Sequence, residues 1–531
     1  MIIENLKLAV IAFRVRLAKT CLKDIGAARY GNQDCREERG RGRTESTKTA
    51  ILSPALSSLF EEERVFAQRV LAMPSRFVLA LFLIGTSTSS GLAERANTNQ
   101  PPPSWLTQPL SLADAINISL KQNGTILRGR SDLEAQYGLV VQTRAVAFPR
   151  LAVNGTYEYT KEVQTFPTFP APPGTPTFNI PFPNNTWNTS IQLIQTVYAG
   201  GQINSALRSA KLTKQQALLQ YQTVIADSLL QVRLAYYDIL QAAEQVVVEE
   251  ASVILLTQQF EDQQRRYNAG TVPRFNVLQA EVALSNERPR LIQARNALRI
   301  SKNNLVNLLG YNVPPQISED LPLQLTDKLD ADPYQIDLPI AIAKALENRT
   351  ELASLRKAEA LRKEGVITAR AGYKPTLQIF GGYGVENSQF TNDPSQYVSG
   401  AMAGAQVSWN IFDGFLTQGR IKQAKALYQG SQVDVDNEAR SIELEVRTDY
   451  SNFIEAQETL ESQKKVQEEA DEALRLATAR NQAGTGTQLD VLQAQTSLTQ
   501  ARSTQVAALH DYDVARARLE RAIGINITQT K

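Results

Sequence analysis

The chain has 531 residues, 56 basic against 54 acidic side chains, 43% apolar residues, one His and two Cys. Such a balanced charge argues against a nucleic-acid binder, which carries a basic face or stripe. One imidazole and two thiols leave little for zinc, haem or a His-dependent nucleophile, so the composition points to a structural or transport protein.

The amino terminus reads as processed sequence. From Met73 the chain supplies a positive Arg76, a short apolar core over Phe77–Gly85, and a small-residue cleavage site at Gly91-Leu92-Ala93. Residues 73–93 are therefore expected to be a signal peptide, and residues 1–72 an extension absent from the mature protein. An extended leader with its own apolar run, Leu6 to Phe13, is the alternative, although Arg14, Arg16 and Lys19 interrupt that run. The core is too short for a permanent membrane anchor. Cys21 and Cys35 both precede the cleavage site, so the mature chain has neither disulfide nor thiol chemistry, and no Cys follows to carry a lipid.

The remainder is one unit written twice. Arg144-Ala-Val-Ala-Phe-Pro149 lines up with Arg370-Ala-Gly-Tyr-Lys-Pro375, 226 residues later. Ala269-Gly270-Thr271 with Val277-Leu-Gln-Ala280 matches Ala483-Gly484-Thr485 with Val491-Leu-Gln-Ala494 at an offset of 214. Gly310-x-Asn312 and Gly524-x-Asn526 keep that offset. The expected division is a first repeat over 94–310, a linker over 311–336, a second repeat over 337–526 and a tail over 527–531.

Each copy shows the same order of elements. A helical stretch (111–147; 337–373) precedes two alternating strands, a very long helix, a glycine turn and a shorter helix. Gln202–Ala269 contains 68 residues without Gly or Pro, and residues 420–483 contain only Gly430. At 1.5 Å per residue, such helices reach about 100 Å. Leu218, Tyr221, Ile225, Ser228, Val232, Ala235, Ile239, Ala242, Val246, Glu249, Val253, Leu256 and Phe260 step by threes and fours, a coiled-coil spacing. In the first copy the stretches 111–147 and 274–309 together match the long helix, which they could flank end to end.

The strands alternate as membrane-barrel strands do. Leu151, Val153, Tyr157 and Tyr159 oppose Ala152, Asn154, Thr156 and Glu158; Ala405, Val407, Trp409 and Ile411 oppose Gln406, Ser408 and Asn410. An apolar outer face and a polar inner face suit a water-filled barrel in lipid, and a soluble half-buried sheet gives the same alternation. Trp187, Trp409, Tyr198 and Phe412 fall near strand ends, where aromatic girdles belong. Four strands are too few to close a barrel and an open edge is not tolerated in lipid, so a membrane sheet of this kind requires several chains.

In the order and doubling of these elements, in Tyr198-Ala-Gly-Gly201 and Phe412-Asp-Gly414, and in the turn from Arg480 to Ala494, the chain resembles the TolC family of outer-membrane efflux proteins over residues 105–526. The resemblance implies a mainly α protein with a membrane β-barrel part. Three chains would each give four strands to a twelve-stranded barrel, continued by a long α-helical periplasmic barrel with coiled coils. It implies a homotrimeric exit duct in the outer membrane of a Gram-negative-type bacterium, contacting outer-membrane lipid. Its expected partners are a periplasmic adaptor and an inner-membrane ABC or RND transporter, for efflux or type I secretion. No cofactor, metal or nucleic acid is expected, and no nucleophile–base set or phosphate loop suggests an enzyme. The competing reading is a periplasmic adaptor or coiled-coil scaffold without a barrel.

Within that frame, residues 161–185, with seven Pro, should form an extracellular loop, matched in the second copy by Glu386–Gln396. The linker should form a belt at mid-height. Gly270 and Gly484 should make the tip turns. Two pore-facing acidic positions of the family fall on Asp490 and Gln493, of which only the first is acidic here. Their first-copy counterparts are Asn276 and Gln279. For Asp490, a first-turn helix-capping role stays open beside the pore role. A family Arg that helps hold the tip closed falls on Gly486; Arg274 or Arg480 would have to substitute. Leu151, Val153, Tyr157, Val407 and Trp409 are the expected lipid-facing residues. His510 reads as a solvated or packing residue, not a ligand.

Overall fold

A computed structural model describes residues 104–160, 173–174, 184–313, 320–387, 393 and 395–525. The expected extension, signal peptide, extracellular loop and tail thus fall outside the described residues wholly or nearly so.

The first repeat opens with α1 (Leu112–Gln122) and α2 (Gly124–Arg144), followed by a 3-10 turn over Ala145–Ala147. Strands β1 (Arg150–Tyr159) and β2 (Asn185–Ala199) come next, then α3 (Gln202–Asn268) and α4 (Arg274–Leu308). The second repeat gives α5 (Leu338–Asn348), α6 (Thr350–Arg370), β3 (Thr376–Asn387), β4 (Tyr397–Ser408), α7 (Leu416–Gln482) and α8 (Gln488–Ile523). Both long helices have 67 residues, so each spans roughly 100 Å. Helix α7 starts four residues before the expected Arg420 and takes Gly419 into its first turn.

The opening helix of each repeat is broken where the sequence pattern runs through. At Asn123 the backbone leaves helical geometry (ψ 124°), and its side-chain oxygen accepts from the N–H groups of Thr125 and Ile126 at 2.8 and 3.2 Å. That satisfies two of the donors that a new helix start leaves open. Its Nδ2 donates to the Leu308 carbonyl at 2.6 Å, tying the break to the end of α4. Gly310 closes this contact: a Cβ there would lie 2.1 Å from the Gln122 oxygen, so only Gly fits. In the second repeat Arg349 stands at the break and Gly524 at the contact. Arg349 donates to Glu351, to both oxygens of Glu445, and to the Ala522 carbonyl. The breaks thus place the shorter helices end to end along the long ones, as the lengths suggested.

Helix α3 packs against α2 and α4 of its own repeat and α6 and α8 of the other, whereas α7 packs against α5, α6 and α8. Two apolar clusters hold the middle of the rods. One joins Leu106, Leu110 and Ala115 to Val232, Tyr236, Ile239 and Leu240 of α3, Leu305, Val306 and Leu309 of α4's end, and Leu321 and Leu323 of the linker. Its counterpart joins Ala341, Ala345 and Leu352 to Ile442, Val446 and Phe453, and to Tyr512, Leu519 and Ile523. Each fully buried large side chain here contributes about 1.5–3 kcal/mol. The linker is extended and strapped on. Leu110 N–H donates to Gln324 O at 2.9 Å, the Tyr236 hydroxyl donates to Leu110 O at 2.9 Å, and the Tyr512 hydroxyl donates to Asp332 O at 2.7 Å.

A buried charged seam crosses between the repeats at this level. Arg233 of α3 donates to Glu520 of α8 at 2.5 Å, and Arg516 donates to the other Glu520 oxygen at 3.0 Å. His510 sits between Asp238 (2.9 Å) and Asp511 (3.1 Å), a packing residue with ionic partners. Burial works against its charge, but the two carboxylates raise its pKa.

The four strands form one antiparallel sheet in the order β1-β2-β3-β4, leaving β1 and β4 as edges. The register pairs Leu151 with Leu193, Val153 with Ile191, Tyr157 with Trp187, and Leu377 with Val407. A bulge between Thr196 and Tyr198 moves Tyr198 onto the same face as Leu377.

Candidate functional site

Three parts of this scaffold can do transport chemistry: the sheet's two faces, its edges, and the helical tips. On one sheet face lie Leu151, Val153, Tyr157 and Tyr159, then Ile191 and Leu193, Tyr383, and Val407. Leu151, Val153, Tyr157 and Val407 are 66–70% exposed, so nothing among the described residues covers them. The opposite face carries Asn154, Thr156, Asn188, Gln192, Gln378 and Gln406. Phe380 and Met402 interrupt it: the Phe380 ring lies where a Cβ on Gly404 would be, at 2.6 Å, and Gln192 reaches the Met402 sulfur.

Trp409 departs from expectation. Strand β4 ends at Ser408, which pairs with Thr376, so the next partner across the ladder would be Pro375, which has no N–H to give. Trp409 and Ile411 thus lie beyond the strand, and the Trp409 indole donates to the Tyr373 carbonyl at 3.1 Å. At the other end, Glu386 and Asn387 extend β3 into the span expected to be loop.

Both helical edges also carry uncovered apolar groups. Helix α4 exposes Phe275, Leu278, Val282, Ile292 and Ile300; α7 exposes Leu427, Val433, Leu444 and Leu476. The sheet and the helices therefore share one property: each ends in an unpartnered edge on both sides.

The tips are built differently in the two repeats. After α3, Gly270 takes a left-handed conformation (φ 71°) and Thr271 N–H closes on Arg266 O at 2.9 Å. Pro273 then starts α4 without a side-chain cap. After α7, Gly484 (φ 74°) lets Thr485 and Gly486 N–H both donate to Arg480 O, at 2.9 and 3.0 Å. Thr487 starts α8 with a reciprocal capping box: Thr487 N–H donates to Asp490 at 2.9 Å, and Asp490 N–H donates to the Thr487 hydroxyl at 3.2 Å. The bond from Thr487 holds the Asp490 carboxyl below the ordinary Asp range, with a smaller attraction from Arg480. Asp490 is thus charged at neutral pH and structurally engaged at once.

Asp490 and Gln493, three residues apart, are both exposed on one side of α8. Asn276 and Gln279 hold the same spacing on α4 but are half-buried. The structure brings together the members of each pair.

Just above the tip lies a layer that sequence reasoning missed. Gln263 of α3 donates to Gln488 of α8 at 3.0 Å, fully buried. The remaining Gln263 oxygen, the Gln488 nitrogen and both polar atoms of Gln495 have no partner among the described residues. Each such orphan costs about 1–3 kcal/mol, so this seam is weaker than an apolar one. The signal was present: Gln488, Val491, Gln495 and Leu498 step by threes and fours, putting glutamines on a core face.

The profile described as "Outer membrane efflux protein" matches residues 115–311 and 341–525, which follow the two repeats. The chain is 22% identical over 435 residues to "Outer membrane protein TolC" of Escherichia coli (strain K12), covering 79% of this chain and 83% of that protein. It is 26% identical over 321 residues to "Alkaline protease secretion protein AprF" of Pseudomonas aeruginosa, covering 58% of this chain and 64% of AprF. The crystal structure of the outer membrane protein VceC from Vibrio cholerae superposes with a TM-score of 0.64 at 18% identity, over 78% of this chain and 96% of that one. That likeness establishes a mostly helical channel fold.

Proposed function

The chain belongs to the outer membrane efflux protein family, and from that premise we propose that it is a passive exit duct through the outer membrane. Three chains would close one twelve-stranded barrel, each adding four strands, and continue it as a helical tunnel through the periplasm. The observation that carries this reading is the double edge. A sheet with an apolar face and two open edges runs directly into long helices whose flanks are also uncovered. Backbone groups at an open edge cannot be left unpaired in lipid, and closure through further copies is the remedy. The polar sheet face, with Asn154 and Gln406, would line the pore. Leu151, Val153, Tyr157 and Val407 would face lipid, with Trp409 just below them at the periplasmic rim.

The cargo would pass as solute or as unfolded protein, since a polar wall need not recognise what it conducts. The relative named for alkaline protease secretion supports the protein-export use. A periplasmic adaptor and an inner-membrane ABC or RND transporter would complete the path. At the far end Asp490, with Gln493, Asn276 and Gln279, would surround the aperture, and the turns at Gly270 and Gly484 would form its rim. The division into repeats over 94–310 and 337–526, joined by 311–336, fits this arrangement. A barrel-less adaptor has no use for an exposed apolar sheet.

Membrane fractionation with native sizing tests the duct. The expected product is an outer-membrane trimer whose mobility changes on boiling. A soluble periplasmic monomer would rule the duct out.

A further inference from the structure

A cavity of about 450 Å³ opens where the sheet meets the helices. Its walls come from the ends of β2, β3 and β4, the end of α6 and the starts of α3 and α7. Two cations line it, Lys374 and Arg420, together with Gln202, Thr368, Asn410 and Gln423; no carboxylate does. Both cations are exposed, and neither has an ion-pair partner among the described residues.

The acids nearby in the chain are engaged elsewhere. Asp413 accepts from the Thr417 N–H at 2.8 Å and from its hydroxyl at 2.5 Å, which fixes its charge at the start of α7 and lowers its pKa. Glu364 accepts from Nε and Nη2 of Arg208, each at 2.8 Å, and from the Ser205 hydroxyl at 2.9 Å. Among the described residues the two lining cations thus have no countercharge, and several side-chain amides share the wall with them.

The repeat offsets sharpen this. Lys374 corresponds to Phe148 in the first copy and Arg420 to Ala206, so the charges belong to the second copy alone. Neither builds the shared fold, because the first copy folds the same way without them.

We propose that this cavity binds an oxyanion-bearing small solute, phosphate- or carboxylate-containing, with Lys374 and Arg420 as its charge partners. Two cations from separate chain segments, with side-chain amides on the same wall, suit a group with several acceptor oxygens. The solute comes from the aqueous side. Thr376 and Ser408, which line the cavity, share the polar sheet face, whereas Leu377 and Val407 lie on the other. The apolar part of the wall is Ala and Gly only, with no surface for an acyl chain. That this face is the pore wall rests on the duct reading above; the binding itself does not.

Equilibrium dialysis of labelled inorganic pyrophosphate against the detergent-purified protein reads the site without conduction. Saturable binding is expected, weakened about tenfold or more by Lys374→Gln or Arg420→Gln, the worth of one charge-assisted contact. Arg420→Lys should keep most of it. Lys422→Gln, on the same helix but outside the cavity, should change nothing. Absence of binding, or equal loss in Lys422→Gln, overturns the proposal. Binding lost in phosphatidylglycerol nanodiscs but kept in detergent would assign the cavity to a lipid headgroup and overturn it too. In planar bilayers pyrophosphate should reduce single-channel current in the wild type and not in Arg420→Gln. Variant-sensitive binding by a protein that forms no channel would support the site and count against the duct alone.

Discussion

Helices α3 and α7 are copies of one element, equal in length, yet they occupy different positions in the molecule. Fifteen residues of α3 are buried and only six of α7, because α3 is flanked by both repeats and α7 by one. Their charges follow the same division. Arg208, Asp227 and Arg233 of α3 pair with Glu364, Arg521 and Glu520 of the other repeat, whereas the ion pairs of α7 stay within its own repeat, on its own helix or to Arg349 and Arg502. Duplication supplied two equal rods; packing made one an interior strut and the other a flank.

The sharpest way to break this comparison is to remove one charge from each rod. Arg233→Met leaves Glu520 buried with only Arg516, and should destabilise by about 3–5 kcal/mol in denaturant unfolding. Arg447→Met loses an exposed pair within one helix and should cost less than about 0.5 kcal/mol. Equal losses would show that the two helices are not distinguished as described.

The sheet offers a second contrast, between its faces. Val407→Arg or Leu151→Arg should weaken assembly by roughly 2–4 kcal/mol if those positions meet lipid near the midplane. Gln406→Arg or Asn154→Arg, on the polar face, should be milder. The yield of heat-modifiable trimer on gels measures both. Identical defects on the two faces would invert or abolish the assignment.

The interior side should also respond to pH through Asp513 of α8. Burial pushes its carboxyl up to about 7, against the attraction of Arg516 and His510 on its own helix and Arg233 on α3, while Asp330 of the linker adds repulsion. Because the folded pKa is raised, the unfolded state releases the proton first. The stability it contributes is complete below about pH 4 and is lost as pH rises towards 7. Thermal melting of Asp513→Asn should therefore lose less stability than the wild type between pH 4 and 7. Parallel curves across that window would show that Asp513 does not titrate there.

The smallest effect on stability is expected at the tips, where the effect on conduction is the informative one. Asp490→Asn should reduce cation preference and block by multivalent cations in single-channel recordings, because in the proposed trimer three carboxylates around an axis would concentrate negative potential. Trimer stability should change little, since Asn can still accept from the Thr487 N–H. Gln493→Asp should strengthen divalent block. Making the first copy acidic, by Asn276→Asp, tests the repeats against each other: a half-buried position should move selectivity less than the exposed one. If none of these changes alters selectivity or block, Asp490 serves the capping box alone.

Much of the architecture was legible because it is local. A run of 68 residues without Gly or Pro that also carries a heptad reads as a rod, and its thirteen heptad positions on α3 proved to be six buried and seven half-buried, with none exposed. Even Glu249, an odd member of that series, is buried, and burial raises its pKa. Strand alternation likewise placed Leu151, Val153, Tyr157 and Val407 on one face, since period two survives any register that keeps parity. The doubling of the chain exposed the tip turns at Gly270 and Gly484 without any structural information.

What tertiary structure alone decided depends on partners far apart in the chain. The break at Asn123 answers to Leu308 and that at Arg349 to Glu445 and Ala522, contacts no window of sequence contains. The end of β4 falls opposite Pro375, just before the neighbouring strand β3, and leaves Trp409 outside the sheet. The spacing of Gln488 and Gln495 puts them on a core face, but their buried partner, Gln263, was decided only when α3 met α8. Lys374 and Arg420 lie 46 residues apart and share a cavity only because the sheet brings the two chain segments together. Periodicity is a property of neighbours along the chain; satisfaction of charge and of hydrogen bonds is a property of neighbours in space.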